Sequence, residues 1–291
     1  MANNTKPKKK GTQKTKKNAK RKSAPYNRKT AAKAKKPSQP LNKTRIIALI
    51  ISIIVVIGVA ITVIIAGSSA PKRENRLPEI GKETAWGIDV SSHNGKINWK
   101  KVSKKADFAF IRVGYRGYSK GEINADKKAK ANIEGALKNG IPVGVYFYTQ
   151  AVNEKEAEKE AEYLLKKIKG YDITLPVVID FEYAYRNGKP VGRLNNAKLT
   201  KKEKTALINA FCSKVRKAGY TPGIYASSYI YRWHLNMKSI PDDVFIWVAD
   251  YNGKVTYEGY YDIWQFSERG KCDGVSSQFV DTNYFYTKKR L

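Results

Sequence analysis

"LPVVIDFEYAY", residues 175–185, opens as a continuous apolar run and then presents two acids one residue apart, Asp180 and Glu182. An uninterrupted Val-Val-Ile run beside a proline reads as a strand covered on both faces, not as a half-exposed one. Ionised groups are seldom placed beside such a run without a partner or a task. Residues i and i+2 of a strand share a face, so Asp180 and Glu182 point one way while Phe181 points the other.

Working outward, the flanking segments alternate in period. "NEKEAEKEAEYLLKKIKG" (153–170) reads as a helix opened by Asn153 with Glu156 three residues on and closed by Gly170. "TKKEKTALINAFCSKVRKAG" (200–219) repeats the device with Thr200, Glu203 and Gly219, and "DKKAKANIEGALKNG" (126–140) ends at a glycine before Pro142. Strand-like runs recur as "WGIDVSS" (86–92), "FAFIRVGY" (108–115), "PVGVYFYTQ" (142–150), "LPVVIDFEY" (175–183), "PGIYASS" (222–228), "VFIWVADY" (244–251), "YDIWQFS" (261–267) and "FVDTNYF" (279–285). Eight strands alternating with helices predict an α/β fold, a small (β/α)8-type barrel whose later helices are reduced because the last connections are short. An open doubly wound sheet is the competing topology. No GxGxxG or GxxxxGK[ST] follows any strand, so a nucleotide-binding version lacks its phosphate cradle.

A barrel of this kind carries its chemistry at the C-terminal ends of its strands. Asp89, Asp180, Glu182 and Asp250 lie late in their strands, and Asp281 lies in the eighth, which neighbours the first when the sheet closes. Tyr146, Tyr148, Tyr225, Trp247 and Trp264 fall at comparable depths. Aromatic faces beside carboxylates suit a saccharide groove, where rings stack on sugar faces and acids reach hydroxyls and the glycosidic oxygen. Two acids as close as Asp180 and Glu182 do not both ionise freely, and one is pushed towards the protonated form that a general acid needs. Taken singly the acids have structural explanations: Asp89 could cap the turn "SSHNG", and Asp281 could form an Asx-turn with Asn283. His93, beside Ser91 and Ser92, reads as a loop residue, since groups so adjacent in sequence do not reach triad geometry.

Charge is distributed unevenly. Of the net +31, residues 1–45 supply 17 Lys and Arg and no acid, with few large apolar residues, so this segment is expected to be a disordered polybasic tail. It runs into "IIALIISIIVVIGVAITVIIAG" (46–67), free of charge and long enough to cross a hydrocarbon core of ~30 Å as one helix. A core helix would show a polar face, and a cleaved signal would be shorter, with Pro71 poorly placed after "GSSA". Residues 68–84 then form a linker to a domain spanning 85–291. The Lys and Arg excess before the run puts the tail in the cytoplasm and the domain on the cell-wall side, as a single-pass membrane protein. Anionic lipid headgroups are the expected partner of the tail. With one aromatic residue, Tyr26, and no recognition motif, nucleic acid is not.

The two cysteines, Cys212 and Cys272, permit a disulfide outside the membrane, but Cys212 falls on the helical stripe Ile208, Phe211, Cys212, Val215 and reads equally as a buried thiol. Two histidines and no CxxC leave a Cys/His metal centre without ligands, and no cofactor is expected.

The ordered set "GIDVSSHNGKINW", "FAFIRVGYRG", "GIPVGVYFY", "VVIDFE", "GYTPGIYAS", "IWVADY" and "IWQFSERGKCDGVSSQFVDTN" resembles the glycoside hydrolase family 25 muramidases, the Chalaropsis-type lysozymes, from about residue 86 to 285. The resemblance implies a barrel with fewer helices than strands and cleavage of the β-1,4 bond after N-acetylmuramic acid in peptidoglycan. It makes the D-x-E glutamate, Glu182, the proton donor to the leaving oxygen. It makes Asp180 the group that orients the substrate N-acetyl as that attacks the anomeric carbon. Asp89 and Asp281 would position the sugar and tune the charge of the pair. Tyr146 would sit near the reacting N-acetyl, with Tyr148, Arg112, Tyr225, Trp247, Asp250 and Gln265 as further substrate-binding residues. Two features depart from the family pattern: "YAYRNGKPVGRLNNAKLT" after Glu182 is long and basic, and the anchor replaces a separate wall-binding module. A catalytically weak wall-binding module on the same barrel, and a scaffold acting through its basic tail, are the competing functions.

Overall fold

The computed structural model describes residues 83–286. The expected tail (1–45), membrane span (46–67) and nearly all of the linker lie outside the described residues. Among the described residues no helix is long and apolar enough to cross a membrane.

Eight strands close into a barrel in the order β1 (Thr84–Val90), β2 (Phe108–Arg116), β4 (Val143–Tyr148), β5 (Val177–Asp180), β8 (Pro222–Ser227), β9 (Phe245–Ala249), β10 (Ile263–Gly270) and β11 (Val280–Tyr286), and the β1–β2 pairing seals the ring. The short β3 (Ile123–Ala125) adds to β2 on the outside. All eight runs read as strands from sequence are staves, so the open-sheet topology is excluded. The expected parallel (β/α)8 arrangement needs one correction: β11 runs antiparallel to both β10 and β1. A parallel connection needs a crossover of a dozen or more residues, and residues 271–279 are too few to make one, so the last strand turns back instead.

Helices cover only part of the ring. After the single turn α1 (Trp99–Val102), the substantial ones are α2 (Ala129–Lys138), α3 (Glu154–Ile168) and α5 (Lys201–Lys217). The 200–203 capping box forms as expected, with Glu203 N donating to Thr200 Oγ1 at 3.2 Å and Thr200 N to Glu203 Oε2 at 2.7 Å. The cap of α3 is one-sided. Asn153 Oδ1 accepts from Glu156 N at 2.9 Å, while the Glu156 carboxylate takes Val152 N and a bidentate contact from Arg193. Between β9 and β11 no α-helix forms.

Strand alternation sorts the apolar residues into two cores. Ile88, Ile111, Val145, Ile179, Phe181, Ile224 and Val248 face outward to pack on the helices. Phe108, Phe110, Val178, Tyr225, Trp247 and Phe285 fill the barrel. The interior rings demand small neighbours: a Cβ on Gly144 would come within 2.2 Å of the Phe110 ring, and one on Gly87 within 2.6 Å of Phe108.

The long stretch after Glu182 folds as a hairpin, β6 (Ala184–Arg186) and β7 (Lys189–Val191), followed by α4 (Gly192–Asn196). Asn187 and Gly188 both have positive φ, 51° and 72°, as a two-residue hairpin turn requires. Cys212 and Cys272 are both free and buried, and burial pushes the Cys212 thiol up to about 12, so it is an inert core group.

Candidate active site

The closed end of alternation is a cleft of about 570 Å³ at the rim where the parallel strands finish. Inward-facing positions deliver Asp89 from β1, Arg112 from β2, Tyr146 and Tyr148 from β4, Asp180 from β5, Tyr225 from β8, Trp247 from β9 and Gln265 from β10. Asp281 reaches the same rim from the start of β11, because that strand is reversed. Glu182 lies two residues past the end of β5. Phe181 N still donates to Tyr225 O at 2.8 Å, which carries the ladder on and keeps Glu182 on the face of Asp180.

Asp89 is fixed by a chain of hydrogen bonds. Its Oδ2 accepts from Gln265 Nε2 and Asn283 Nδ2, both at 2.9 Å. The orientation of each amide is set from behind: Trp247 Nε1 donates to Asn283 Oδ1 at 2.9 Å, and Tyr225 and Tyr251 donate to Gln265 Oε1 at 2.8 and 2.6 Å. With their oxygens so engaged, both NH2 groups must face Asp89. Asp89 therefore does not cap the following turn; Ser91 does, its Oγ accepting from His93 N at 3.2 Å.

Five acids share this cleft with one arginine, and burial works against ionising Asp89, Asp180, Glu182 and Asp281 together. Burial, offset in part by the Asn283 and Gln265 hydrogen bonds, pushes Asp89 up to about 6. Burial, then the charges of Asp89 and Glu268, hold Glu182 up to about 7. Asp281 rises to about 9 through burial and the nearby Asp89, Glu268 and Glu182. Asp180 is raised well above the carboxylate range by burial and by Glu182, and its buried Oδ1 has no hydrogen-bond partner among the described residues. Arg112 is the opposing charge, but its guanidinium is already engaged by Asp126 at 2.9 Å, which also accepts from Ser92 N.

Two residues expected here lie elsewhere. Asp250 does not line the cleft. Its carboxylate closes its own loop, accepting from Asn252 Nδ2 at 2.9 Å and from Thr256 N and Oγ1 at 2.9 and 2.6 Å. Against the opposing effect of burial, hydrogen bonds from Thr256, Ser228 and Asn252 bring it down to about 2. Trp264 faces outward, packed on Phe266 and Tyr284 and donating to Asp250 O at 2.8 Å.

Other lining residues were not singled out from sequence: Tyr115, Tyr118, Tyr251 and Glu268, with Ser92, His93 and Asn94 of the first turn. Tyr115 is an odd number of positions from Arg112 and should face away from it. A bulge between Arg112 and Gly114 in the β2–β4 ladder turns it inward. Irregular register after Gln265 in β10 does the same for Glu268. Bulges leave no periodic signal, so only the neighbouring ladder reveals these positions. Among the described residues no group of three or more His, Cys, Asp or Glu side chains is arranged to hold a metal ion.

Comparison with known proteins finds relatives over about two thirds of the chain. Lysozyme M1 of Streptomyces globisporus is 28% identical over 213 residues, covering 68% of this chain and 67% of that protein. The uncharacterized protein YegX of Escherichia coli is also 28% identical, over 211 residues, covering 69% of this chain and 70% of YegX. The modular autolysin LytC of Streptococcus pneumoniae, solved with a synthetic peptidoglycan ligand, superposes with a TM-score of 0.59 at 29% identity. That match covers 70% of this chain but 47% of LytC, so the chain spans about half the length of that autolysin. The family model of the glycosyl hydrolases family 25 matches residues 88–275, from the strand bearing Asp89 to just short of β11, and the chain belongs to that family.

Proposed function

We propose that the chain is a peptidoglycan muramidase that cleaves the β-1,4 bond between N-acetylmuramic acid and N-acetylglucosamine. The observation that carries this reading is the convergence of Asp89, Asp180, Glu182 and Asp281 on one aromatic-walled cleft in a member of a glycoside hydrolase family. Its relatives include a lysozyme and an autolysin solved with a peptidoglycan ligand. Glu182, held up to about 7, is protonated in mildly acidic to neutral solution and gives its proton to the leaving glycosidic oxygen. The substrate N-acetyl oxygen attacks the anomeric carbon as the C–O bond breaks. Asp180, whose Oδ1 has no donor among the described residues, accepts the N-acetyl N–H through that oxygen and holds it in line. Water then opens the cyclic intermediate, with Glu182 as the base that takes its proton. Asp89, locked by Gln265 and Asn283, and Asp281 beside it hold the sugar and set the charge that Glu182 feels.

The uncharged run at 46–67 and the basic segment before it support a membrane-tethered enzyme with its barrel on the cell-wall side. The test is digestion of purified peptidoglycan by the full-length chain with reducing-end analysis. New muramic-acid reducing ends are the expected product. New glucosamine ends refute the bond assignment, and binding without release makes the chain a wall-binding module. Cell fractionation with and without residues 46–67 tests the tether, which predicts release from the membrane fraction on deletion.

A further inference from the structure

On the far side of the Glu182–Tyr183 peptide from the cleft lies a second cavity of about 370 Å³, enclosed by the hairpin insert, α5 and α6 (Ser228–Trp233). Among the described residues its lining contains no acid, whereas the cleft is walled by five. The charged groups that face it are Lys198 and Lys204, with His234 between the helices. Three tyrosines, Tyr183, Tyr185 and Tyr229, supply its flat walls, and Tyr185 and Tyr229 are 66% and 62% exposed.

Lys204 is the unusual member. It is buried, and among the described residues its ammonium has no carboxylate partner; it contacts His234 Nδ1 at 3.0 Å. An ammonium only donates, so Nδ1 accepts and the ring proton sits on Nε2, leaving the imidazole neutral with Nε2 as its donor. Burial and the cationic Lys204 and Lys201 push His234 down, which keeps it in that neutral form. Tyr183 OH lies 3.1 Å from the same Nδ1 and ties this cluster to the residue next to Glu182. A buried cation without a counter-ion, beside a cavity free of acids, is incomplete without an anion. Lys198 holds a left-handed φ of 51°, at a position where glycine is the usual residue.

We propose that this cavity is a second binding site, separate from the cleft, for a carboxylate-bearing saccharide: a muramyl unit whose lactyl carboxylate is free, as in stretches of the same polymer that carry no stem peptide. Lys204 and Lys198 take the carboxylate, His234 donates to an acetyl or hydroxyl oxygen, and Tyr185 and Tyr229 stack on the sugar faces. The identity of the saccharide rests on the muramidase reading; the anionic, ring-stacking character of the site does not. Such a site holds the enzyme on the glycan beside the stretch that occupies the cleft.

The chain carries its own reporters, because it has two histidines, His93 in the cleft and His234 in this cavity. The experiment titrates the full-length chain, with isotope-labelled histidine and in detergent micelles at pH 7.5, with the disaccharide N-acetylglucosaminyl-N-acetylmuramic acid. N,N′-diacetylchitobiose, which lacks the carboxylate, and inorganic phosphate are run beside it. The expected result is a saturable shift of the His234 signals by the disaccharide, with weaker responses to the other two. In Lys198→Gly/Tyr229→Ala the affinity read at His234 falls at least about tenfold, and the His93 response is retained. Glycine accepts the φ of residue 198 and Tyr229 is largely exposed, so this variant folds. A response confined to His93, an unchanged His234 response in the double variant, or phosphate binding as tightly as the disaccharide overturns the proposal. If His234 responds to the disaccharide while His93 stays silent, and no reducing ends are released from purified peptidoglycan, the muramidase reading falls and the second site stands.

Discussion

Asp89 and Asp281 are register partners across the antiparallel β1–β11 pair, so two carboxylates face each other on the inner wall of the barrel. Side chains directly opposite on one face approach to roughly 5 Å at Cβ, and like charges there repel. The arrangement is sustained by keeping one member protonated. Asp89 is given two amide donors and Asp281 is raised to about 9.

Protonation of Asp281 has a consequence for stability. An acid whose folded pKa lies above its unfolded value binds more protons in the native state, so native stability declines as pH rises from about 4 towards 9. Asp281→Asn removes that dependence. Thermal melts of the two proteins at pH 5, 6.5 and 8 are expected to show the variant gaining on the wild type at each step. A constant difference across the series would place the proton elsewhere.

Glu182→Gln keeps the shape of the side chain and removes the transferable proton. Release of reducing ends is expected to fall by about 10²–10⁴-fold, the usual worth of a positioned general acid, with the melting temperature little changed. Retention of near wild-type turnover would assign the proton donor to another cleft acid.

The pH profile should report the same group. Activity requiring protonated Glu182 declines as pH rises through about 7. Glu268 contributes to that elevation from an exposed position, so Glu268→Gln is expected to move the alkaline limb to lower pH, on the order of half a unit and less at high salt. A limb that stays in place at low salt would show that Glu268 is screened from the pair.

The Trp247–Asn283–Asp89 chain predicts coupled losses. Trp247→Phe keeps an aromatic ring but strands the fully buried Asn283 Oδ1, at a cost of roughly 1–3 kcal/mol in chemical denaturation. Because Asn283 then holds Asp89 less firmly, polymer cleavage should drop more than the stability change alone accounts for. Lost stability with full activity would separate the chain's structural role from its role in the site.

Much of this architecture is legible in residue order. Continuous apolar runs between capped amphipathic helices identified all eight staves. The i, i+2 rule placed Asp180 and Glu182 on the inner face with Phe181 outside, because strand period is a local property of the backbone. Local rules also explain where the reading fell short. Asp250 ends its strand as the other acids do, yet the backbone of its own loop claims its carboxylate, and strand position carries no information about such competition. Tyr115 and Glu268 reach the cleft through register irregularities created by pairing with a neighbouring strand. The reversal of β11, which brings Asp281 opposite Asp89 from the start of its strand instead of its end, follows from a nine-residue connection closing a ring whose other staves are already set. Sequence thus determined which residues are staves and which side of each stave faces inward, since both depend on neighbours along the chain. Tertiary structure alone decided which acids meet and at what charge, since partners, burial and register are set by strands far apart in sequence.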